Sequence, residues 1–298
     1  MDKIINGKEI STQIQTELRQ SWQNYSKNNP QSRPPHLVAV LVGNNPASET
    51  YVGNKAKACA FVGFQSTLLR LEQNISQADL LIQIAKLNQR ADIDGFIVQL
   101  PLPAQIDEAQ IIAAIAPDKD IDGFHPLNLG KIILEKPSFV PATPLGILEL
   151  LRVAQIETKG KKVVVVGRSN IVGTPISLLL SRNTEIGNAT VTLCHSQTPD
   201  LRAETLQADI LIAAIGKPLF IKADMVKLGA VVIDVGINSI PDSSQKRGYK
   251  LVGDVDFEAV LPICSRISPV PNGVGAMTVT ALLLNTWTAF CANHSTKK

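Results

Sequence analysis

The run Lys-Lys-Val-Val-Val-Val-Gly at 161–167 constrains this chain more than any other stretch. Four successive valines leave no alternation between a wet face and a dry one, so the segment reads as a strand buried on both sides. Their branched side chains favour extended backbone. A strand covered on both faces belongs to a parallel sheet flanked by helices. The glycine that follows permits a tight turn, and "TPISLLLSR" (174–182) then opens a helix with proline in its first turn.

The same grammar recurs along the chain. Strands are predicted at 36–43, 66–71 and 94–100, and helices at 49–62, 76–90 and 107–115. The helix at 76 opens on a serine cap. A proline- and glycine-punctuated segment, "PDKDIDGFHPLNLG", has no periodicity and reads as a loop. After a helix over 144–154, a second series places strands at 161–167, 189–195, 208–216 and 230–236, with the spacing of a Rossmann half. The last helix covers about 276–291. The fold class is therefore α/β with two domains, an N-terminal parallel-sheet domain and a Rossmann-type domain. The boundaries place 1–142 in the first, completed by 276–298, and 143–275 in the second, with linkers near 139–143 and 268–275.

With 298 residues, the chain is long enough for two such cores. Its net charge of +3, without a basic run, gives no electrostatic footprint for nucleic acid. Cysteines at 59, 194, 264 and 291 form no CxxC pair, so neither a zinc site nor another metal site is expected, and they read as reduced thiols. The N-terminus lacks a signal-type apolar core, and no uninterrupted apolar stretch reaches membrane-spanning length. A cytoplasmic protein without a membrane partner is the expectation.

Two regions carry residues suited to chemistry. In "ETYVGNKAKAC", Tyr51 and Lys55 are four apart and share a helix face, while Lys57 points away. In "VVVVGRSNIVGTP", Gly167 takes the first place of a dinucleotide loop, Ser169 the second and Val172 the third, with Gly173 just after. That departs from GxGxxG, and the loop reads either as a dinucleotide site or as a plain βα turn. Were it a site, amides near 171–174 would face a phosphate. The next strand ends "CHSQT" and carries no carboxylate for a ribose 2′-hydroxyl, whereas Arg168 suits a 2′-phosphate. NADP is thus preferred over NAD. Elsewhere Gln99 closes a strand, Asp118, Asp120 and Asp122 crowd one loop, and "PVPNGVGAMT" brings backbone close to a ligand or forms a hinge.

These segments, with "DGFIVQLPLP", "VIDVGIN" and "VGDVDF" in the same order, closely resemble the bifunctional methylenetetrahydrofolate dehydrogenase/methenyltetrahydrofolate cyclohydrolase family from about residue 4 to 290. The resemblance implies a homodimer of two-domain subunits with a cleft between the domains. Such an enzyme oxidises 5,10-methylenetetrahydrofolate with NADP and hydrolyses the methenyl product to 10-formyltetrahydrofolate. It assigns Lys55 to the cyclohydrolase step, Gln99 to positioning Lys55, Tyr51 to stacking on the folate and Asp122 to binding the pterin. Pro271 and Gly275 fall at the substrate. Gly167, Arg168, Ser169, Ile171 and Val172 form the NADP loop, with Ser196 near the 2′-phosphate and Ile237 and Thr278 on the nicotinamide side. The family commonly reads "PVPGGVGPMT", and here Asn272 and Ala276 replace a glycine and a proline. Asparagine tolerates a positive φ better than most residues.

The chemistry accounts for the lysine. A lysine at its free pKa of about 10.4 is charged at neutral pH and cannot take a proton from water attacking a cationic carbon. Desolvation beside Tyr51 and a bound pterin would lower that pKa and leave a base. A dehydrogenase of shikimate type would want a lysine–aspartate pair and no "VQLPLP". A catalytically silent NADP- or folate-binding protein would lack Lys55 or Gln99. A formate ligase would need a P-loop, and none is present.

Overall fold

The computed structural model describes residues 3–245 and 248–294. In chain order the elements are α1 (Gly7–Asn28), β1 (His36–Val42), α2 (Pro46–Val62), β2 (Gln65–Leu71), α3 (Gln77–Gln89), β3 (Gly95–Val98), α4 (Glu108–Ala114), α5 (Pro126–Ile133), α6 (Ala142–Val153), β4 (Lys162–Val166), α7 (Gly173–Ser181), β5 (Thr190–Cys194), α8 (Leu201–Thr205), β6 (Ile210–Ala213), β7 (Val231–Asp234), β8 (Asn238–Pro241), β9 (Tyr249–Val252), α9 (Phe257–Val260), β10 (Arg266–Ile267) and α10 (Val274–His294). They form two compact units. The first comprises Gln13–Ala142 and Val279–Lys298, the second Met1–Thr12 and Thr143–Thr278.

The first unit holds a parallel sheet in the order β2-β1-β3. Every residue of β1 is buried, as a strand with helices on both faces requires. Val38, Val40 and Val42 point to one side and pack with Leu80, Ile84 and Leu87 of α3 and Ile111 of α4. Ser76 caps α3 by accepting from the Asp79 amide. The segment read as an unstructured loop contains α5. His125 caps it through Nδ1 to the Leu127 amide, and Pro126 sits in its first turn, where a missing N–H costs nothing. Helix α10 is long and apolar enough by composition to cross a membrane. In this unit Leu282, Leu283, Ala289 and Phe290 are buried, and Asn285 donates to the carbonyls of Ile121 and Val140. It is thus packed as a core helix.

The second unit holds a parallel sheet in the order β10-β7-β6-β4-β5. Numbered within the unit this is 2-1-3-4-5, the doubly wound order whose ligand crevice falls where β4 and β6 meet. Val164, Val166, Leu211, Ala213 and Val232 form its core with Ile267. The domain boundaries differ from the sequence expectation at both ends. Residues 3–12 cluster with the second unit because Ile5 donates to the Ile267 carbonyl and Ile267 to the Lys3 carbonyl, extending the β10 edge. Residues 276–278 also belong there, with Met277 packed on Gly146. The antiparallel ribbon β8–β9 is a further element that the sequence periodicity did not predict.

Candidate active site

Helix α2 begins where Asn45 Oδ1 accepts from the Ser48 amide. Two turns in, Lys55 is only 9% exposed, whereas Tyr51, one turn earlier, is 43% exposed and Lys57 is exposed. The protein itself therefore desolvates Lys55, and the Tyr51 ring is free to meet a ligand. Lys55 Nζ donates to Gln99 Oε1 at 2.8 Å, and Gln99 Nε2 donates to the Leu100 carbonyl at 2.7 Å. The Gln99 amide continues the β3 ladder to Val40. Main chain and side chain together fix the direction of Oε1. An amide oxygen accepts an N–H from an ammonium and from a neutral amine alike, so Gln99 orients Lys55 without forcing its charge.

Burial lowers the Lys55 pKa, and Asp122 opposes that shift. Cys59, one turn further along α2, has its thiol pushed up to about 12 by burial, so it stays neutral and Asp122 is the countercharge that matters. Asp122 itself is raised to about 6, mainly by burial and against the pull of Lys55, with Asp120 adding to the rise. Both partners are thus shifted toward their neutral forms, the condition for proton transfer near neutral pH. The loop that carries Asp122 is braced throughout. Asp120 Oδ2 accepts from the His125 amide at 2.8 Å and from Asn128 Nδ2 at 2.9 Å, and the Asp122 carbonyl accepts from the Ala142 amide. A cavity of about 340 Å³ opens beside Gly43, Asn44, Gln73 and Pro101, at the carboxyl ends of β1 and β3.

In the second unit the glycine loop follows β4. Gly167 has φ 118°, and a Cβ there would collide with the Ala214 carbonyl, so only glycine fits. Gly173 meets the Gly167 carbonyl in the same way. Three of the amides near 171–174 have partners within the loop. Those of Val172 and Gly173 donate to Ser169 Oγ at 3.2 and 3.4 Å, and that of Thr174 to the Ser169 carbonyl. The Ser169 hydroxyl accepts from the helix start and keeps its own proton to donate outward, so it can relay the α7 N-terminal field to an anion. Arg168 and Ile171 are exposed beside it.

A cavity of about 330 Å³ lies at the crevice that the strand order predicts. Gly167, Arg168, Ser169, His195, Ser196 and Lys217 supply its polar lining, and Leu201, Ile215 and Phe220 an apolar wall. The set fits a dinucleotide: an apolar slot for a flat base, cations and hydroxyls for phosphate, and no carboxylate at the end of β5. Lys217 and Phe220 were not singled out from the sequence. His195 acts as a turn residue, its Nδ1 accepting from the Gln197 amide. Ile237 is 46% exposed after β7 and lies against Gly275, while Thr278 sits half-buried in α10. Pro271 is exposed. Asn272 stands at φ 75°, in the left-handed region where a glycine is common and an asparagine is tolerated. Among the described residues no group of three or more His, Cys, Asp or Glu side chains is placed to hold a metal ion.

The sequence matches two family descriptions in tandem, the tetrahydrofolate dehydrogenase/cyclohydrolase catalytic domain over residues 5–122 and the NAD(P)-binding domain of the same family over 141–294. The chain belongs to the tetrahydrofolate dehydrogenase/cyclohydrolase family. It is 55% identical to the bifunctional protein FolD of Cytophaga hutchinsonii over 95% of this chain and 97% of that protein. It is 52% identical to that of Porphyromonas gingivalis over 95% of both. Among solved structures, the bifunctional enzyme FolD of Campylobacter jejuni superposes with a TM-score of 0.89 at 43% identity, covering 97% of this chain and 98% of that one. The methylenetetrahydrofolate dehydrogenase-cyclohydrolase of Trypanosoma brucei, solved with NADP cofactor and inhibitor, gives 0.91 at 37% identity over 99% and 98%.

Proposed function

We propose that this chain, a methylenetetrahydrofolate dehydrogenase/cyclohydrolase using NADP, runs its hydrolytic step on Lys55 and its oxidation against the second unit's cavity. The observation that carries the reading is the Lys55–Gln99 bond of 2.8 Å on an almost fully buried amine. In the hydrolysis, Lys55 in its neutral form takes the proton from the water that attacks the cationic methenyl carbon. Gln99 keeps its lone pair directed at that water. Asp122, ionised above about pH 6, binds the pterin and offsets the substrate's positive charge. Tyr51 stacks on the folate, with Pro271 and Gly275 completing the substrate contacts by family resemblance.

The oxidation asks less of side-chain acid–base chemistry, because the substrate nitrogen pushes electrons out as the hydride leaves. NADP supplies the hydride acceptor when bound. Arg168 and Ser196 hold the 2′-phosphate, Ser169 with Ile171 and Val172 hold the loop against the phosphates, and Ile237 and Thr278 shape the nicotinamide side. The chain works as a homodimer in the cytoplasm. A spectrophotometric assay of the purified protein with 5,10-methylenetetrahydrofolate and either NADP or NAD tests the reading. NADP reduction faster than NAD reduction, with 10-formyltetrahydrofolate accumulating, is expected. No reduction of either cofactor would overturn it.

A further inference from the structure

Two sequence motifs, "VIDVGIN" and "VGDVDF", each carry a buried acid that the site just described does not use. The structure brings them together within the second unit. Asp234, at the end of β7, is 3% exposed and its carboxylate accepts from the amides of Gly236, Asp254 and Val255 at 3.0, 2.9 and 3.0 Å. Asp254, just past β9, is fully buried. Its Oδ2 accepts from the amides of Ile215 and Gly216 at 2.7 and 2.9 Å, and its Oδ1 from Asn238 Nδ2 at 2.9 Å. A Cβ at Gly236 would strike the Asp254 carboxylate, and one at Gly253 the Asp234 carboxylate, so the glycines of both motifs make room for the acids.

Asp254 holds backbone that matters. Ile215 forms the apolar wall of the dinucleotide cavity, and Ala214 before it meets the Gly167 turn. Asn238 follows Ile237 directly. Where parallel strands end, their amides lose ladder partners and need another acceptor. We infer that Asp254 is a positioning residue of the dehydrogenase site, its carboxylate fixing both the 215–216 wall and the 237–238 corner against which the cofactor is held. The inference rests on the reading that this cavity binds NADP.

The test measures NADP binding by titration calorimetry, and cyclohydrolase activity on methenyltetrahydrofolate without cofactor, on the same full-length preparations. Asp254→Ala leaves the Ile215 and Gly216 amides without their acceptor and should raise the NADP Kd roughly tenfold or more, whereas Asp254→Asn keeps an acceptor for them and should stay within about threefold. Both variants should retain cyclohydrolase activity, which needs no cofactor. Arg168→Ala serves as the control for the cavity. If it loses NADP affinity while Asp254→Ala binds like the unaltered chain, the inference fails and the cavity reading stands. If neither variant changes NADP affinity, the cavity reading itself fails. An Asn variant as damaged as the Ala variant would overturn the acceptor role and leave only bulk destabilisation.

Discussion

The two units solve opposite problems with buried polar groups. Around Lys55, a lysine and the Asp122 carboxyl are withdrawn from water without a close ion pair, and both are shifted toward neutrality. Around the glycine loop, buried acids are used differently. Asp234 and Asp254 take backbone amides and stand behind the cavity wall rather than in it. Burial of an acid is common to both regions. What separates them is the partner: a titratable amine in one case, fixed amides in the other. Burial raises Asp234 as well, to about 7, so the shift alone does not distinguish the regions: proton transfer needs a base whose lone pair faces the reacting water, and hydride transfer needs rigid placement. The contrast follows the division of chemistry between the units.

The comparison breaks first at Lys55. Lys55→Met should cut cyclohydrolase activity by about 10²–10⁴-fold, the usual contribution of a general base, while NADP reduction stays measurable. Retained cyclohydrolase in that variant, or loss of NADP binding, would remove the distinction between the regions. On the other side, Arg168→Ala should raise the KM for NADP by roughly 10–100-fold, the worth of one hydrogen bond to a charged group, and leave NAD use unchanged. An equal loss with both cofactors would place Arg168 away from the 2′-phosphate.

The acid limb of the cyclohydrolase profile sharpens the comparison. Burial raises the Asp122 pKa to about 6, so the carboxylate is present above that pH and lost below it. Activity should therefore fall as the pH drops through 6. Asp122→Asn should flatten that limb at about a tenth of the wild-type plateau, an interaction worth about one pKa unit. A limb that persists in Asp122→Asn would assign it to another group. The smallest effect is expected two residues from the base. Lys57 is exposed, and Lys57→Ala should leave both activities and stability within about 0.5 kcal/mol.

Most strands of the two sheets were legible because apolar, β-branched runs have one physical reading, and β4 announced a whole architecture; β10, only Arg266–Ile267, was too short to show a pattern. Helix α5 was hidden because Pro126 and Gly130 read as loop punctuation, although proline belongs naturally in a first turn. The β8–β9 ribbon was hidden because its strands are short and half-exposed, which leaves little apolar alternation to detect. In the site, the shared face of Tyr51 and Lys55 followed from helical spacing. The Lys55–Gln99 bond spans 44 residues of sequence, and only family resemblance pointed to it. The contact of Ser169 with its own helix start was not legible, because a local side-chain hydrogen bond is not revealed by spacing.

The central claim is that the protein alone makes Lys55 easier to deprotonate. Selective ¹³C labelling of lysine, with Lys55→Met to identify the missing resonance, allows its Cε signal to be titrated by NMR. A Lys55 midpoint clearly below the ordinary lysine value of about 10.4 is the expected result. A Lys55 midpoint at or above it would contradict the assignment of Lys55 as the base.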